Sequence, residues 1–262
     1  MTFMIPKVIH YCWFGKGELS PLIKNCISSW KKFCPDYEII EWNESNFDIN
    51  SSIWTKEAYD KKKYAFVSDY ARLFILYNYG GIYLDTDVEL TKNIDEFLLH
   101  EAFSCFENDK YVSTGIIGSV PRHKVIKNFL EYYDGLHFIN EDGSIKDIPN
   151  VRFMTEILKE YGLKVNNEFQ ILNGFCIYPR TYFCPIDANG NRDFSKKTYC
   201  IHHFTSSWRP EKDQKQVAFM HKWYYPLYKT TLIGVINFGK LILGKHNARR
   251  LHIKYKQLFL RE

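Results

Sequence analysis

No Cys-x-x-Cys pair occurs in this chain: its seven cysteines, at positions 12, 26, 34, 105, 176, 184 and 200, are odd in number and scattered. That excludes a structural zinc ribbon or a fully paired disulfide framework and fits a reducing compartment. No apolar run reaches the roughly 18–20 residues of a membrane-spanning helix. The start, MTFMIPKVIH, also lacks the cationic and apolar regions of a secretory signal. From these absences we expect a cytoplasmic protein. Two phosphate-binding loops are missing as well, since neither G-x-x-x-x-G-K-[ST] nor G-x-G-x-x-G occurs. A phosphorylated ligand must then be held by a metal, side chains or isolated backbone donors. Internal repeats and low-complexity stretches are absent too. Negative charge is scarce at the C-terminal end, where residues 240–262 carry seven Lys and Arg against one acid. Of the formal +5, that segment holds +6 and the rest −1. No motif accompanies this charge that would point to a nucleic acid partner.

What is present is a chain that is 45% hydrophobic and 17% aromatic over 262 residues, enough for one substantial α/β core. IPKVIHYCWF reads as a buried first strand, Pro21 to Phe33 as a helix and YEIIEW as a second strand. Asn43 to Lys62 is polar, with a helical stretch near Ile53 to Tyr59. Further helices are expected at Asp95 to His100, Val125 to Tyr133 and Asn150 to Tyr161, with a strand near Ala102 to Phe106. Asn140 to Pro149 reads as a loop. Phe169 to Phe183 reads as paired strands and Thr198 to Phe204 as a last strand running into TSSW. Strands alternating with helices predict a mostly parallel sheet.

Residues 64–89, YAFVSDYARLFILYNYGGIYLDTDVE, are the most informative. Ala65, Phe66, Tyr70, Leu73, Phe74 and Tyr77 recur at helical intervals, and Gly80-Gly81 ends the helix. From Ile82 the period becomes two, predicting one strand with Tyr83, Asp85, Asp87 and Glu89 on a single face. Two carboxylates about 6–7 Å apart along a strand repel. A divalent cation removes that repulsion, and hard carboxylate oxygens suit Mg²⁺ or Mn²⁺. The alternative is a solvated acidic turn.

The compound run S-D-x-x-R followed by G-G-x-Y-x-D-x-D resembles the sugar-nucleotide-binding region of DXD glycosyltransferases of the Och1-like and capsular polysaccharide type, glycosyltransferase family 32. The likeness extends to IPKVIHYCWFG and to HHFTSSW, and so covers roughly the first 210 residues. It implies a GT-A-like, Rossmann-type α/β fold: a mixed, mostly parallel sheet flanked by helices. We expect this catalytic domain over residues 1–225, with a basic, amphipathic helical segment over 226–262. The resemblance further implies a retaining transfer of a hexose from a UDP- or GDP-sugar to a growing surface glycan or lipid-linked glycan. In that reading Asp69 accepts hydrogen bonds from the sugar, and Arg72 contacts the donor and holds Asp69. Tyr83 and Asp85 lie near the ribose and sugar, Asp87 is the direct metal ligand, and Ser68 belongs to the same donor-binding set.

Two further pieces join this set. Trp13, just past the first strand, offers an indole face on which a base can stack, worth about 1–3 kcal/mol; on spacing alone a tryptophan at a strand end is more often a core residue, and it is the resemblance that implies the stacking role. In HHFTSSWR, a histidine is a suitable Mn²⁺ ligand. Alternation lets only one of His202 and His203 face the site, and His203 is favoured. Ser206, Ser207 and Trp208 are the expected donor contacts there. Residues 231–262 read either as an interfacial segment meeting anionic membrane from the cytoplasmic side of a bacterial plasma membrane or as a helix packed on the catalytic domain. The competing functions are a glycoside hydrolase and a non-catalytic, metal-dependent carbohydrate-binding protein. Hydrolysis needs carboxyl groups on opposite sides of the scissile bond, whereas Asp85 and Asp87 share one face.

Overall fold

A computed structural model describes residues 4–146, 148–186, 190–205 and 230. The chain divides into two compact units, Met1–Pro185 with Asp193–His203, and Ile186–Arg192 with Phe204–Glu262. In the second unit the described backbone shows an antiparallel bridge between Ile186 and Arg192. The expected boundary at 225/226, the helical tail apart from Thr230, which is helical, and the membrane contact all lie outside the described residues. Among the described residues no helix is long and apolar enough to cross a membrane.

The first unit is built in the order β1 (Val8–Cys12), α1 (Pro21–Phe33), β2 (Glu38–Trp42), α2 (Ile53–Asp60), α3 (Tyr64–Tyr79), β3 (Gly81–Leu84), β4 (Val88–Leu90), β5 (Ala102–Cys105), β6 (Ile116–Ser119), α4 (Lys124–Glu131), α5 (Asn150–Glu160), β7 (Gln170–Leu172), β8 (Phe175–Tyr178) and β9 (Cys200–His202). Among the described residues, seven strands form one sheet in the order β2-β1-β3-β6-β5-β8-β7, and β4 pairs with β9 in a separate ribbon. Pairing directions leave five of the seven strands running one way, with β6 and β7 reversed. This is the expected mixed, mostly parallel sheet flanked by helices. Helix α3 lies against β1, β3 and β6, with α2 and α4 packed on it and α5 on α4, while α1 packs against β4.

Local chemistry accounts for these elements. Ser20 caps α1 by accepting from the Ile23 N–H, with Pro21 in the first turn where its missing donor goes unneeded. Ser52 and Thr55 form a reciprocal capping box on α2. Helix α3 stops because Gly80 and Gly81 take φ of 67° and 97°, a region open to glycine. A Cβ on Gly81 would stand 2.8 Å from both the Val8 carbonyl and the His10 ring, so glycine also lets β3 settle against β1.

The alternation from Ile82 to Glu89 predicts one strand, and the structure corrects this to two. The Asp85 N–H bonds the Gly115 carbonyl at 2.8 Å, and the Val88 N–H closes a turn onto the Asp85 carbonyl at 3.0 Å. The chain there leaves the main sheet to pair with β9. Ile82, Tyr83 and Leu84 are all buried, so β3 has no solvent face. Strand β6, preceded by Gly115, containing Gly118 and lying between β3 and β5, has no counterpart among the expected elements.

Candidate functional site

Strands β1 and β3 are parallel neighbours, with Ile9 beside Ile82 and His10 beside Tyr83. Their carboxyl ends therefore finish on the same sheet edge, where ligands settle in open α/β sheets. From β1 the chain runs into Trp13, whose N–H bonds the Trp42 carbonyl at 2.8 Å. The Trp13 indole donates to the Gly17 carbonyl at 2.6 Å, so the loop after it folds back. A cavity of about 540 Å³ opens there, lined by Trp13, Lys16, Glu41 and Asn43 among others. Half-buried Trp13 is thus at a cavity wall, not in the core.

From β3 the chain runs into Asp85, and Arg72 of α3 reaches it. Arg72 is 4% exposed and lies between two carboxylates, with Nη2 at 2.9 Å from Asp69 Oδ1 and 3.3 Å from Asp85 Oδ1. Its Nη1 donates to the Thr114 carbonyl at 2.8 Å, and its guanidinium lies 4.7 Å from the Tyr83 ring centre. The pair is therefore not the exposed, weak kind. Burial disfavours the Arg72 charge, but Asp85, Tyr83 and Asp69 outweigh it and keep the guanidinium protonated. Asp69 also receives Asn150 Nδ2 at 2.6 Å, on the same Oδ1 that faces Arg72. Burial pushes the Asp69 carboxyl up to about 7, against the opposing pull of Arg72. Tyr83 donates its hydroxyl to Asp85 Oδ1 at 3.1 Å. Ser68 turns its hydroxyl back to the Tyr64 carbonyl, 3.1 Å away on its own helix.

The third piece arrives through the β4–β9 ribbon. Val88 lies opposite His202, and the His203 N–H bonds the Asp87 carbonyl at 3.0 Å. His202 Nε2 stands 3.2 Å from Asp87 Oδ1 and 3.8 Å from Asp85 Oδ2. Ligand atoms of Asp85, Asp87 and His202 all lie within 4.8 Å of one another. His203, the favoured ligand on sequence grounds, points elsewhere: its Nε2 lies 2.9 Å from Glu89 Oε2. Alternation does put only one of the two histidines at the aspartates, and it is His202. Which one was undecidable in sequence, because it depends on the pairing of β9 with β4. Ser206, Ser207 and Trp208 lie outside the described residues.

These donors suit a hard divalent cation, and the surroundings already draw positive charge. Burial opposes a proton on His202, yet Asp87 beside it, with a further contribution from Cys184, raises its affinity well above the ordinary range. Space is reserved too. A Cβ on Gly115 would stand 2.9 Å from Asp85 Oδ2 and 2.7 Å from the His202 ring, so only glycine leaves the cradle open. Thr114 and Gly115 escaped sequence reading because they lie on the approach to the unexpected strand β6, and Asn150 because its partners, Asp69 and Thr114, are distant in sequence. Their only local signal was the glycine-bounded run GIIGS. Glu107 is a further neighbour, its carboxyl pushed up to about 8 by burial and by Cys184 and Asp85, with His202 opposing.

Comparison with known proteins gives three kinds of match. Residues 20–104 match the family model described as the glycosyltransferase sugar-binding region containing the DXD motif. An uncharacterized glycosyltransferase of Acanthamoeba polyphaga mimivirus is 30% identical over 242 residues, covering 84% of this chain and 90% of the viral protein. Inositol phosphoceramide mannosyltransferase 2 of Schizosaccharomyces pombe is 32% identical, covering 97% of this chain and 74% of that protein. A mannosyl phosphorylinositol ceramide synthase of Saccharomyces cerevisiae is 32% identical over 60% of this chain, which spans only 43% of the yeast protein. Among solved structures, the PaToxG glycosyltransferase aligns with 60% of this chain and 70% of its own, at 19% identity and a TM-score of 0.47.

Proposed function

The chain belongs to the DXD glycosyltransferases, and from that premise we propose that it is a metal-dependent, retaining hexosyltransferase that draws on a UDP- or GDP-sugar and extends a surface glycan. The observation that carries this reading is the meeting of Asp85, Asp87 and His202, within 4.8 Å of one another, beside the buried Asp69–Arg72 pair. Mannosyl transfer, named for the fungal relatives, makes mannose the first hexose to test.

Asp85, Asp87 and His202 would hold Mn²⁺ or Mg²⁺. Such an ion supplies charge neutralisation on the departing nucleoside diphosphate. The remaining work falls to the chain's own side chains. Trp13 offers the base a stacking face at the end of β1. Arg72 fixes Asp69 and Asp85 relative to each other, so the donor meets a preset carboxylate pair and not two independently moving ones. With Asp69 Oδ1 engaged by Arg72 and Asn150, its second oxygen is left to accept a sugar hydroxyl. Retention needs no protein nucleophile if the leaving phosphate oxygen takes the acceptor's proton on the same face, and Asp85 and Asp87, adjacent on one turn, do not flank a bond as a hydrolase pair does. The seven buried, unbridged thiols support a cytoplasmic location. Residues 231–262 remain the segment to test for contact with anionic membrane.

The decisive measurement is a thermal-shift screen of UDP- and GDP-sugars with and without Mn²⁺, because a ligand stabilises the folded state that it fits. A metal-dependent shift with one donor, abolished by Asp87→Asn, is the expected outcome. A shift indifferent to both would remove Asp87 from the metal site, and an inverted anomeric centre by NMR of the product would end the retaining assignment.

A further inference from the structure

A second concavity, of about 810 Å³, lies away from the aspartates, where the end of β8 and the turn at Arg180–Tyr182 face the segment Ser195–Lys197. One wall is aromatic. Phe169 and Tyr178 meet with ring centres 4.9 Å apart, Tyr178 and Tyr182 at 4.8 Å, and Tyr182 stacks on Tyr199 with an interplanar angle of 14°. Phe169 is nonetheless 47% exposed. The other wall is polar and basic: Ser195, Lys196 and Lys197 line it, the Lys197 ammonium lies 5.8 Å from the Tyr182 ring centre, and none of the described lining residues is a carboxylate.

These walls are tied down. Thr198 Oγ1 donates to the Thr181 carbonyl at 2.8 Å, and the Tyr199 N–H to the Tyr182 carbonyl at the same distance. Arg180 reaches Asp193 at 3.3 Å and takes the Asn167 side-chain oxygen on its N–H at 2.8 Å. Rings held by neighbouring rings lose little freedom when a ligand arrives, which favours binding. Flat aromatic faces match the C–H faces of a pyranose, hydroxyls match its rim, and paired ammonium groups match an anionic substituent. A neutral glycan would have no use for the two lysines, and a bare anion none for the three rings.

We propose that this groove binds an acidic sugar residue of the acceptor glycan, of the uronic acid kind. The assignment rests on the transferase reading, because it makes the groove an outlying acceptor subsite. Its position suits that role. From Lys197 to His202 the chain advances five residues, the last three as β9, so the two lie at most about 18 Å apart, and an oligosaccharide of a few units spans groove and metal centre.

The test is direct binding of trigalacturonate to the full chain by calorimetry, with maltotriose as the neutral control. Nucleotide-sugar thermal shifts are followed separately, so that failure of this site and failure of the transferase reading give different signals. Trigalacturonate should bind and maltotriose should not. Lys197→Gln and Tyr182→Ala should each weaken binding about tenfold, the loss of one charge-assisted or stacking contact, with the Mn²⁺-dependent donor shift unchanged. Both substitutions are at a surface, and unchanged melting temperatures would show that the fold survives. Equal binding of maltotriose, absence of trigalacturonate binding, or binding indifferent to both variants would overturn the proposal. Association with phosphatidylserine vesicles that both variants abolish, without trigalacturonate binding, would also overturn it and assign the groove to a lipid surface.

Discussion

Gly115 is the residue on which the site most depends without offering a side chain. Alanine there would place a methyl 2.7 Å from the His202 ring and 2.9 Å from an Asp85 oxygen, and one of them must move. Disturbing the packing that orients a metal ligand typically weakens affinity 10–100-fold. Gly115→Ala should therefore weaken Mn²⁺ binding at least about tenfold by calorimetry while leaving circular dichroism unchanged; unaltered Mn²⁺ affinity would remove the cradle from the metal site. Arg72 makes a different demand. It spans Asp69, Asp85 and the Thr114 carbonyl at once, which a planar fork allows and a point-charge ammonium does not. Arg72→Lys should lower the transfer rate by on the order of 10², with the positive charge preserved; near-normal rates would show that charge alone suffices.

At the scale of elements, the helix–glycine–strand passage was legible because its causes are local. Helical spacing through Tyr77, two glycines at positive φ and a buried Ile82-Tyr83-Leu84 run all lie within one stretch of chain. Helix α1 was legible for the same reason, its Ser20 cap and Pro21 being adjacent. What escaped depends on pairing across the chain. The turn at Asp85 exists because Gly115 bonds it, His202 is chosen by its register with Val88, and β6 is a strand because β3 and β5 leave a slot between them. The aspartates therefore converge through a turn between two sheets and not through the pleat of one strand. Gly81 joins the local and distant causes. Its Cβ would meet the Val8 carbonyl at 2.8 Å at a φ of 97°, so Gly81→Ala combines strain with a clash across the β1–β3 pair. Unfolding in urea should show a loss of roughly 2 kcal/mol or more, and a neutral result would mean that β3 can shift along β1 at no cost.

For the whole molecule, the acid limb of stability should carry the mark of one buried histidine. His10, 2% exposed at the centre of β1, accepts the Trp42 indole N–H on Nδ1 at 3.1 Å, leaving Nε2 to donate to the Gly80 carbonyl at 2.9 Å. That network requires the neutral ring, since a proton on Nδ1 would face another donor. Burial lowers its pKa from 6.5 to about 4, against the opposing pull of the Gly80 bond. The unfolded chain therefore binds more protons than the folded one between pH 6.5 and 4. The stability owed to this group is complete above 6.5 and is lost as pH falls towards 4, by about 3 kcal/mol in all. Asp69 and Glu107, raised by burial, act in the opposite sense because their folded forms take up protons first. A comparison with His10→Gln isolates the histidine, because glutamine has both an acceptor and a donor and does not titrate. The variant should be less stable at pH 7.5 yet show a shallower decline between pH 6.5 and 4 in urea unfolding. Parallel curves for the two proteins would place the acid sensitivity elsewhere.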